Sequence, residues 1–499
     1  MKRSLSLLSL FAFSSLHGEP LFEITRHPYP LNVDPQIGGI DVMPDGRIAA
    51  AFHRGEVLIY NPADKSWTEF ARGLHEPLGL VVDGKDFLVM QRPELTRISD
   101  TDGDGTADSY QTVSDKFGIS GNYHEFAFGP ARGPDGDLYI SLNVASNGAG
   151  IREEVRGEWS EIGQLDQEQM KATGSDWQAI KKNAGRMYSR VPYRGWILKI
   201  SPDGTTTPFA CGFRSPDGIG FDSEGNLLVT DNQGDWRGTS PLYTVKKDHF
   251  YGHPASLPWR SDWDGRDPLQ VPLEELQSLR TPASALMPQG ELANSPTQPI
   301  AIPESWGPYG GQVLFGDMNQ PRLLRFLADE VNGFPQGALL PFVEQPEEIE
   351  TGSHRFAFDK QGTLWIGKTH LSWGGGTGLL SIKPPAADIF TVTSCHLGKK
   401  DSQQQLTLTF SQILADNLKA PAIKRYRYNY YPNYGSPKED EAKVPVTKIE
   451  LMEDQKTLVL TLEIKKGFLH ELDLSQLLSQ TDQPLEGQRL YYNAVEIPQ

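Results

Sequence analysis

Short apolar runs alternate with polar, Gly-containing turns along most of the chain. In each copy, apolar and polar positions alternate, a turn follows, and a second apolar run completes the pair, as in "GGIDVMPDGRIAAAF". Alternation with a period of two is typical of β-strands, and Asp-Gly pairs favour tight turns between them. Six copies occur, and they begin at Gly38, Leu78, His124, Asp217, Gly310 and His354. The pattern predicts a repeated β-structure.

A further strand-like run follows most copies, for example "VLIYNP" or "WILKISPDG". Each repeat is then a small sheet of four strands, which buries its two faces only by stacking on its neighbours. Closing six such sheets into a ring removes exposed sheet edges. We therefore expect an all-β chain with a six-bladed β-propeller over residues 19–385.

The repeat stops after "LLSIKPPAAD", where two prolines and small residues resemble a linker. Strand-like runs continue beyond it, and they predict a small C-terminal β-sandwich-like domain over residues 386–499. This region contains a Tyr-rich run, "YRYNYYPNY", from Tyr426 to Tyr434. The run is either a sugar-stacking surface or ordinary cross-strand packing, and the spacing favours packing.

Two insertions interrupt the repeat and predict long loops on the faces of the propeller. The first covers residues 145–194 and includes a helix-compatible stretch over residues 164–184. The second covers residues 250–305 and is rich in Pro, Trp and charged residues. Functional residues tend to lie on loops held by a rigid scaffold, so both insertions are candidate site regions.

Residues 1–18 combine a basic start, an apolar stretch and a small residue before a polar break, which is typical of a cleaved secretory signal. We therefore expect an exported protein, periplasmic or extracellular, with no membrane span. The formal net charge of -17 argues against binding to nucleic acid or to an anionic membrane surface. Cys211 and Cys395 lie far apart in sequence, and two unpaired thiols are the favoured interpretation.

An acidic loop, "SDTDGDGTADSYQ", predicts a calcium site. Alternating carboxylates around a Gly can converge on one hard cation because Gly allows the backbone to turn sharply. The expected ligands are Asp100, Asp102, Asp104 and Asp108. Gln111 stands where such loops carry a bidentate Glu, which lowers the expected affinity and favours a structural role. A metal-free Asp-Gly turn is the alternative.

His124 is the most prominent candidate for chemistry, because it lies just before an apolar strand that contains Phe126 and Phe128. A histidine at such a position is often structural. Neutral imidazole is, however, the side chain best suited to accept a proton near neutral pH. Both interpretations remain open on the residues alone.

Three stretches carry a resemblance to a known family: "HEFAFGPARGPDGDLYISL", "FACGFRSPDGIGFDSEGNLLVTDNQGDW" and "HFYGHP". Together with "SDTDGDG", "GELANSP" and "GPYGGQVLFGD", they resemble the glucose/sorbosone dehydrogenase propellers. The greater likeness is to secreted bacterial sorbosone dehydrogenase-like proteins, and it covers nearly the whole mature chain. The resemblance implies a quinoprotein oxidoreductase that uses pyrroloquinoline quinone and Ca²⁺. Its substrate would be a small carbohydrate or a sugar-derived aldehyde, and an external electron acceptor would complete the reaction.

The resemblance also implies roles for individual residues. His124 matches the family's general base, and Arg214 matches an arginine that contacts the quinone oxygens. Ser215 replaces an asparagine of the family at a cofactor contact, and Tyr123 precedes His124 where an aspartate is familiar. The further implied residues are Asn232, Arg355 and Lys368 for the cofactor, and Gly234 and Asp235 for a calcium ion near it.

Two functions of other classes remain as alternatives. One is a glycan-binding propeller without catalysis, which the added C-terminal domain favours. The other is a calcium-dependent hydrolase or lactonase, which needs acidic and amide side chains at the ring axis. Asp231 and Asn232 are the sequence candidates for that cluster.

Overall fold

The computed structural model describes residues 21–146, 156–160, 187–370, 375–385 and 388–499. These residues form an all-β protein in which six sheets follow one another along the chain and a further β region follows them. The predicted fold class, a six-bladed propeller with a C-terminal β-sandwich-like domain, is confirmed. The expected signal segment over residues 1–18 and the helix-compatible stretch over residues 164–184 lie outside the described residues.

Each blade is an antiparallel sheet, and its strands are given below in order from the innermost to the outermost. Blades 1 and 2 comprise β2 (Ile37–Val42), β3 (Ile48–Phe52), β4 (Val57–Asn61), β5 (Ser66–Ala71), β6 (Gly79–Asp83), β7 (Asp86–Met90), β8 (Leu95–Ser99) and β9 (Ser109–Ser114). Blades 3 and 4 comprise β10 (Ala127–Arg132), β11 (Leu138–Leu142), β14 (Trp196–Ile200), β15 (Thr206–Cys211), β16 (Gly218–Phe221), β17 (Leu227–Thr230), β18 (Ser240–Val245) and β19 (Ala285–Met287). Blades 5 and 6 comprise β20 (Ile300–Ala301), β21 (Val313–Phe315), β22 (Leu323–Val331), β23 (Phe334–Phe342), β24 (Ser353–Phe358), β25 (Leu364–Lys368), β26 (Gly378–Ile382) and β1 (Ile24–Arg26).

The first described strand closes the ring, because β1 is the outermost strand of blade 6. It pairs antiparallel with β26, with Thr25 opposite Ser381. His27 follows β1, and its ring nitrogens lie 2.9 Å from Tyr60 Oη and 2.8 Å from Ser381 Oγ. The two ends of the propeller are therefore joined by strand pairing and by side-chain hydrogen bonds.

The turns between the first two strands of a blade explain the repeated Asp-Gly pairs. Gly46 and Gly136 have φ values of 91° and 86°, in the left-handed region that favours glycine. The predicted copy at Gly310 is wrong by one strand, since it covers β21 and β22 instead of the two innermost strands. The innermost strand of blade 5 is only two residues long, so it leaves no alternating pattern to recognise.

Two short paired strands, β12 (Ala145–Ser146) and β13 (Met187–Tyr188), lie in the first insertion. The second insertion contains one helix, α1 (Leu273–Leu279), and the 3₁₀ turns Pro254–Trp259 and Pro268–Gln270. The 3₁₀ segment Glu304–Tyr309 begins at the end of this insertion, and the helix α2 (Pro346–Ile349) lies outside both insertions. No helix in the described ranges is long and apolar enough to cross a bilayer. Cys211 and Cys395 are both buried and free, as expected.

The C-terminal region adds eight strands in two sheets. They are β27 (Val392–Lys400), β28 (Gln403–Phe410), β29 (Ala422–Arg427), β30 (Glu439–Lys443), β31 (Val446–Leu451), β32 (Thr457–Leu462), β33 (Phe468–Asp473) and β34 (Arg489–Ala494). One sheet has the order β27-β28-β32-β31. The other is continuous with blade 5, because β34 pairs with β23 to give an eight-stranded sheet. The hydrophobic core between the two C-terminal sheets includes Leu327 and Leu340 of blade 5.

Candidate functional site

A cavity of about 360 Å³ opens on the face of the propeller where the chain enters the innermost strands. We call this the upper cavity. The loops before β10 and β16 and the loop between β17 and β18 supply much of its wall. Four side chains predicted from the sequence meet there, although they are separated by up to about a hundred residues along the chain: His124, Arg214, Ser215 and Asn232.

Two hydrogen bonds to described residues help to position His124. Its backbone N–H donates to Asn122 Oδ1 at 3.0 Å, and its Nδ1 lies 2.8 Å from the carbonyl oxygen of Val144. A carbonyl only accepts, so Nδ1 carries the proton and the lone pair of neutral imidazole is at Nε2. The backbone N–H of Val144 donates in turn to the carbonyl of Arg214 at 3.1 Å. Val144 thus links the two predicted catalytic residues.

Arg214 is buried, and its Nε donates to Asp235 Oδ1 at 3.0 Å. Burial opposes the charged guanidinium, but the Asp235 carboxylate outweighs this effect and raises the pKa of Arg214. The other carboxylate oxygen of Asp235 contacts His253 Nε2 at 3.2 Å and accepts from Met187 N–H at 3.1 Å. Burial also opposes ionisation of Asp235, yet the contacts with His253 and Arg214 hold its pKa below the usual range.

The space for Arg214 depends on a glycine. A Cβ at Gly234 would lie 1.9 Å from Arg214 Nε, so no other residue fits there without displacing the guanidinium. Gly234 and Asp235, which the resemblance implies near a calcium ion, therefore lie directly against Arg214. In this arrangement the carboxylate of Asp235 is a partner of Arg214 and His253.

Asp231 organises the turn that carries Arg214 and Ser215. Its Oδ2 accepts from Arg214 N–H at 2.9 Å and its Oδ1 accepts from Ser215 N–H at 2.7 Å. The same carboxylate accepts from Asn232 N–H at 2.8 Å and from Arg237 Nε at 3.1 Å. Asp231 is completely buried, so its oxygens position the turn and do not face the cavity.

Arg355 lies deeper in the central channel than the other predicted residues. It donates to the carbonyl of Leu78 and to Asp217 Oδ1, at 3.1 Å in each case. His354 Nε2 lies 2.9 Å from the same Asp217 oxygen. Asp217 lines the upper cavity, whereas Arg355 lines a second cavity of about 520 Å³ at the other end of the channel. This buried cluster lies between the two cavities.

Lys368 lies apart from the upper cavity, in blade 6. Its Nζ donates to the carbonyl of Ile349 at 2.7 Å and is 3.6 Å from the carboxylate of Glu350. Burial lowers the pKa of Lys368 to about 8, although the negative charge of Glu350 offsets part of this decrease. Arg355 and Lys368, the two residues implied for the cofactor carboxylates, therefore do not lie in the upper cavity with His124.

The acidic loop lies between β8 and β9, the third and fourth strands of blade 2. In an antiparallel blade this connection emerges on the face opposite to the upper cavity. Carboxylate oxygens of Asp100, Asp102 and Asp104 lie within 4.8 Å of one another. Asp108 is turned away, since it accepts from Thr101 N–H at 2.9 Å and from Thr101 Oγ1 at 2.6 Å.

Asn143 and Tyr434 are among the residues of the upper cavity that sequence analysis did not place there. Asn143 is 1% exposed and donates from Nδ2 to Ser215 Oγ at 2.9 Å, while its Oδ1 has no hydrogen-bond partner among the described residues. Its place directly after β11, on the face of His124, was a signal that could have identified it. Tyr434 reaches the cavity from the C-terminal region. It belongs to the Tyr-rich run for which a sugar-stacking surface was one interpretation, but no local pattern indicates its contact with the propeller.

Pyrroloquinoline quinone carries three carboxylates, which require cationic partners when they are buried. Two guanidinium groups line the upper cavity, and each is already bound to a carboxylate: Arg214 to Asp235 and Arg92 to Glu76. No lysine lines the cavity in the described part of the chain. The described residues therefore do not fit this cofactor.

Comparisons with known proteins leave the activity open. One family model, Domain of unknown function (DUF7133), matches residues 62–196. No curated protein matches the chain. Three similar solved structures are an oxidoreductase described as a glucose dehydrogenase from Thermus thermophilus, the PQQ-bound aldose sugar dehydrogenase from Streptomyces coelicolor, and the holo PQQ domain of pyranose dehydrogenase from Coprinopsis cinerea.

Their sequence identities to this chain are 14%, 15% and 10%, and their TM-scores are 0.48, 0.47 and 0.42. The matches cover 72%, 72% and 73% of this chain and 99%, 98% and 98% of those chains. Similarity at this level does not assign an activity.

Proposed function

We propose that the upper cavity binds a small polyhydroxylated compound, a sugar or sugar derivative, and that His124 accepts a proton from one of its hydroxyl groups. The observation that carries this proposal is the fixed orientation of the His124 ring. Because Nδ1–H is bound to the Val144 carbonyl, neutral imidazole has its basic lone pair at Nε2. In this tautomer the proton is accepted at Nε2.

The remaining wall suits hydroxyl groups better than charged ones. Hydroxyls donate and accept, so one can donate to the Oδ1 of Asn143, which lacks a partner among the described residues. The side chains of Ser215, Asn232 and Ser295 add further polar groups, and Phe126 adds an aromatic surface. Since both guanidinium groups are neutralised by carboxylates, a neutral ligand avoids burying an unpaired charge.

Oxidation of the ligand is the reaction class that the family resemblance implies. In such a step a C–OH group becomes a carbonyl, the hydroxyl proton passes to His124, and a hydride passes to an electron acceptor. The described residues supply the base for this step. The acceptor is external in this proposal, because the charges of the described cavity residues do not fit pyrroloquinoline quinone.

Glycan binding without turnover is the second candidate. It is favoured because Arg214 and Arg92 are both paired with carboxylates. The described wall therefore has no unpaired guanidinium group to bind an anionic cofactor. A calcium-dependent hydrolase has less support. Among the described residues, the one group of three acidic or other metal-ligating side chains with closely spaced ligand atoms is the exposed loop from Asp100 to Asp104.

The test is His124→Ala, assayed beside the wild type and a His249→Ala control that changes a histidine outside the upper cavity. Turnover of a sugar panel is measured with a dye acceptor, with and without added pyrroloquinoline quinone and Ca²⁺, and affinity is measured by calorimetry. We expect turnover to fall about 10²- to 10⁴-fold in His124→Ala, as for loss of a general base. Sugar affinity should change little.

Equal turnover in His124→Ala and the wild type would remove His124 from the mechanism. A wild type that binds sugars without oxidising them would favour the glycan-binding candidate. Tight uptake of the quinone by the wild type would contradict the charge argument above. A wild type that binds no sugar would refute the proposed function.

A further inference from the structure

A loop from the C-terminal region lies on the propeller beside the upper cavity. It comprises residues 428–438, connects β29 to β30, and is called the tyrosine loop here. Three backbone hydrogen bonds join it to the loop between β17 and β18. Gly435 N–H donates to the Gly234 carbonyl at 2.9 Å, Ser436 N–H to the Gly238 carbonyl at 2.8 Å, and Trp236 N–H to the Tyr431 carbonyl at 3.1 Å.

The contact is close and well anchored. A Cβ at Gly238 would lie 2.8 Å from the carbonyl oxygen of Asn429, so the two backbones approach as nearly as glycine allows. Tyr430 donates from its hydroxyl to the Gly252 carbonyl at 2.6 Å. Its ring lies 4.3 Å from the guanidinium carbon of Arg280, measured to the ring centroid. The tyrosine loop is therefore a fixed part of the upper face.

Tyr434 is the residue of this loop that reaches the upper cavity. Its ring centroid lies 5.4 Å from Cζ of Arg214, within the range of a cation–π contact. Arg214 is itself held by Asp235, so the guanidinium restricts where the ring can lie. The ring is only partly buried and forms part of the wall of the cavity.

We infer that Tyr434 is a ligand-contacting residue that selects ring-shaped sugars, so that the C-terminal region completes the binding site of the propeller. This inference rests on the proposed function. An aromatic face packs well against the flat C–H face of a cyclic sugar. An acyclic polyol with the same hydroxyl groups has no such flat face and pays more conformational entropy when it binds. Tyr434 therefore discriminates by shape, whereas the amide and hydroxyl groups of the cavity recognise both kinds of compound.

The experiment compares Tyr434→Leu with Tyr434→Phe, which keeps the ring. Tyr110→Leu is the control, because Tyr110 is an exposed tyrosine on the outer strand of blade 2, away from the cavity. Calorimetry measures Kd for a panel of D-aldopyranoses and for the corresponding alditols, and thermal melting verifies folding. We expect Tyr434→Leu to weaken aldopyranose binding about tenfold, the loss of roughly one aromatic contact. Alditol binding should change less than about twofold.

Tyr434→Phe and Tyr110→Leu should stay within about twofold of the wild type for both classes of compound. Unchanged aldopyranose affinity in Tyr434→Leu would overturn the inference, as would an equal loss for both classes. A loss in Tyr434→Phe as large as in Tyr434→Leu would overturn it too, since the ring is retained. If the wild type itself binds neither class, the proposed function fails and this inference fails with it. The wild-type measurement thus separates the two failures.

Discussion

Two compact sets of charged side chains lie near the upper cavity in the described part of the chain. Arg214, Asp235 and His253 form one such set, and Asp217, His354 and Arg355 form another. Both sets are buried, so removing the arginine or the aspartate leaves the opposite charge without its ion-pair partner, at a typical cost of about 3–5 kcal/mol. Because Arg214 and Arg355 are each paired with an aspartate, these two candidates from the sequence do not form an anion-binding site.

The burial of His470 in β33 predicts that the free energy of unfolding depends on pH. Burial, followed by the charge of Arg425, lowers its pKa from 6.5 to about 4, and its Nε2 accepts from Lys465 N–H at 3.3 Å. As pH falls below 6.5, the unfolded chain takes up a proton that the folded chain refuses, so the free energy of unfolding decreases. The contribution of His470 falls by at most about 1.4 kcal/mol per pH unit until pH approaches 4.

Urea unfolding of the wild type and of His470→Gln, from about pH 7 to about pH 5, measures this contribution. The wild type should lose more stability on acidification than the variant, because the introduced glutamine does not titrate. Parallel stability curves would show that His470 does not bind its proton differently in the two states.

Position within a blade decides what a loop can do. Connections between the second and third strands, and from one blade to the next, emerge on the face of the upper cavity and carry Asn143, Arg214 and Asn232. Connections between the other strands emerge on the opposite face and include the acidic loop of blade 2. The predicted calcium site is therefore distant from the proposed reaction, as a structural site would be.

The converging carboxylates of the acidic loop predict that calcium stabilises the folded protein. Calcium should raise the thermal stability of the wild type, by about 2.7 kcal/mol at a concentration of 100 Kd, because only the folded loop presents converging carboxylates. Asp102→Ala with Asp104→Ala should abolish the increase. Asp45→Ala, in an exposed turn of blade 1, is the matched control and should retain it. Asp108→Ala should retain most of it, since Asp108 is bound to Thr101.

A calcium-dependent increase that survives the double substitution would place the ion elsewhere. No increase in the wild type would favour the metal-free turn.

The propeller and the C-terminal region share structure across their boundary. Strand β34 extends the sheet of blade 5, with Ala338 opposite Tyr492. Arg325 of blade 5 is completely buried and donates to the Val392 carbonyl at 2.7 Å and to Thr391 Oγ1 at 2.5 Å. Blade 5 therefore depends on residues beyond 386 for its edge, for part of its core and for the partners of a buried charge.

We accordingly predict that a chain ending at residue 385 does not fold into a stable propeller. The truncation exposes the edge of β23 and apolar side chains such as Leu327 and Leu340, and it removes partners of Arg325. Size-exclusion chromatography and thermal melting beside the full chain test this, and aggregation or loss of a cooperative transition is expected. A monomeric truncated chain that melts like the full one would show that the propeller is an independent domain.

The amino-acid sequence determined the features that depend on nearby residues. Alternating positions and Asp-Gly turns specify strand pairs, and counting the pairs predicted six blades. The same count explains why His124 and Arg214 both reach the upper cavity, since His124 precedes the innermost strand of blade 3 and Arg214 precedes that of blade 4. Asn143 could have been predicted by the same argument. The error at Gly310 arose where the innermost strand was too short to show a period.

Tertiary structure alone decided the features that depend on distant residues. It joined β1 to β26, extended blade 5 with β34, placed Tyr434 beside Arg214, and gave Arg355 and Lys368 partners away from His124. The partner lies 19 residues away for Lys368 and more than a hundred residues away in the other cases. Local patterns carry no record of such contacts, because they form only when the ring closes and the C-terminal strands add to it. Side chains that look alike in sequence, such as buried arginines, therefore acquire different roles from the partners that the closed fold brings to them.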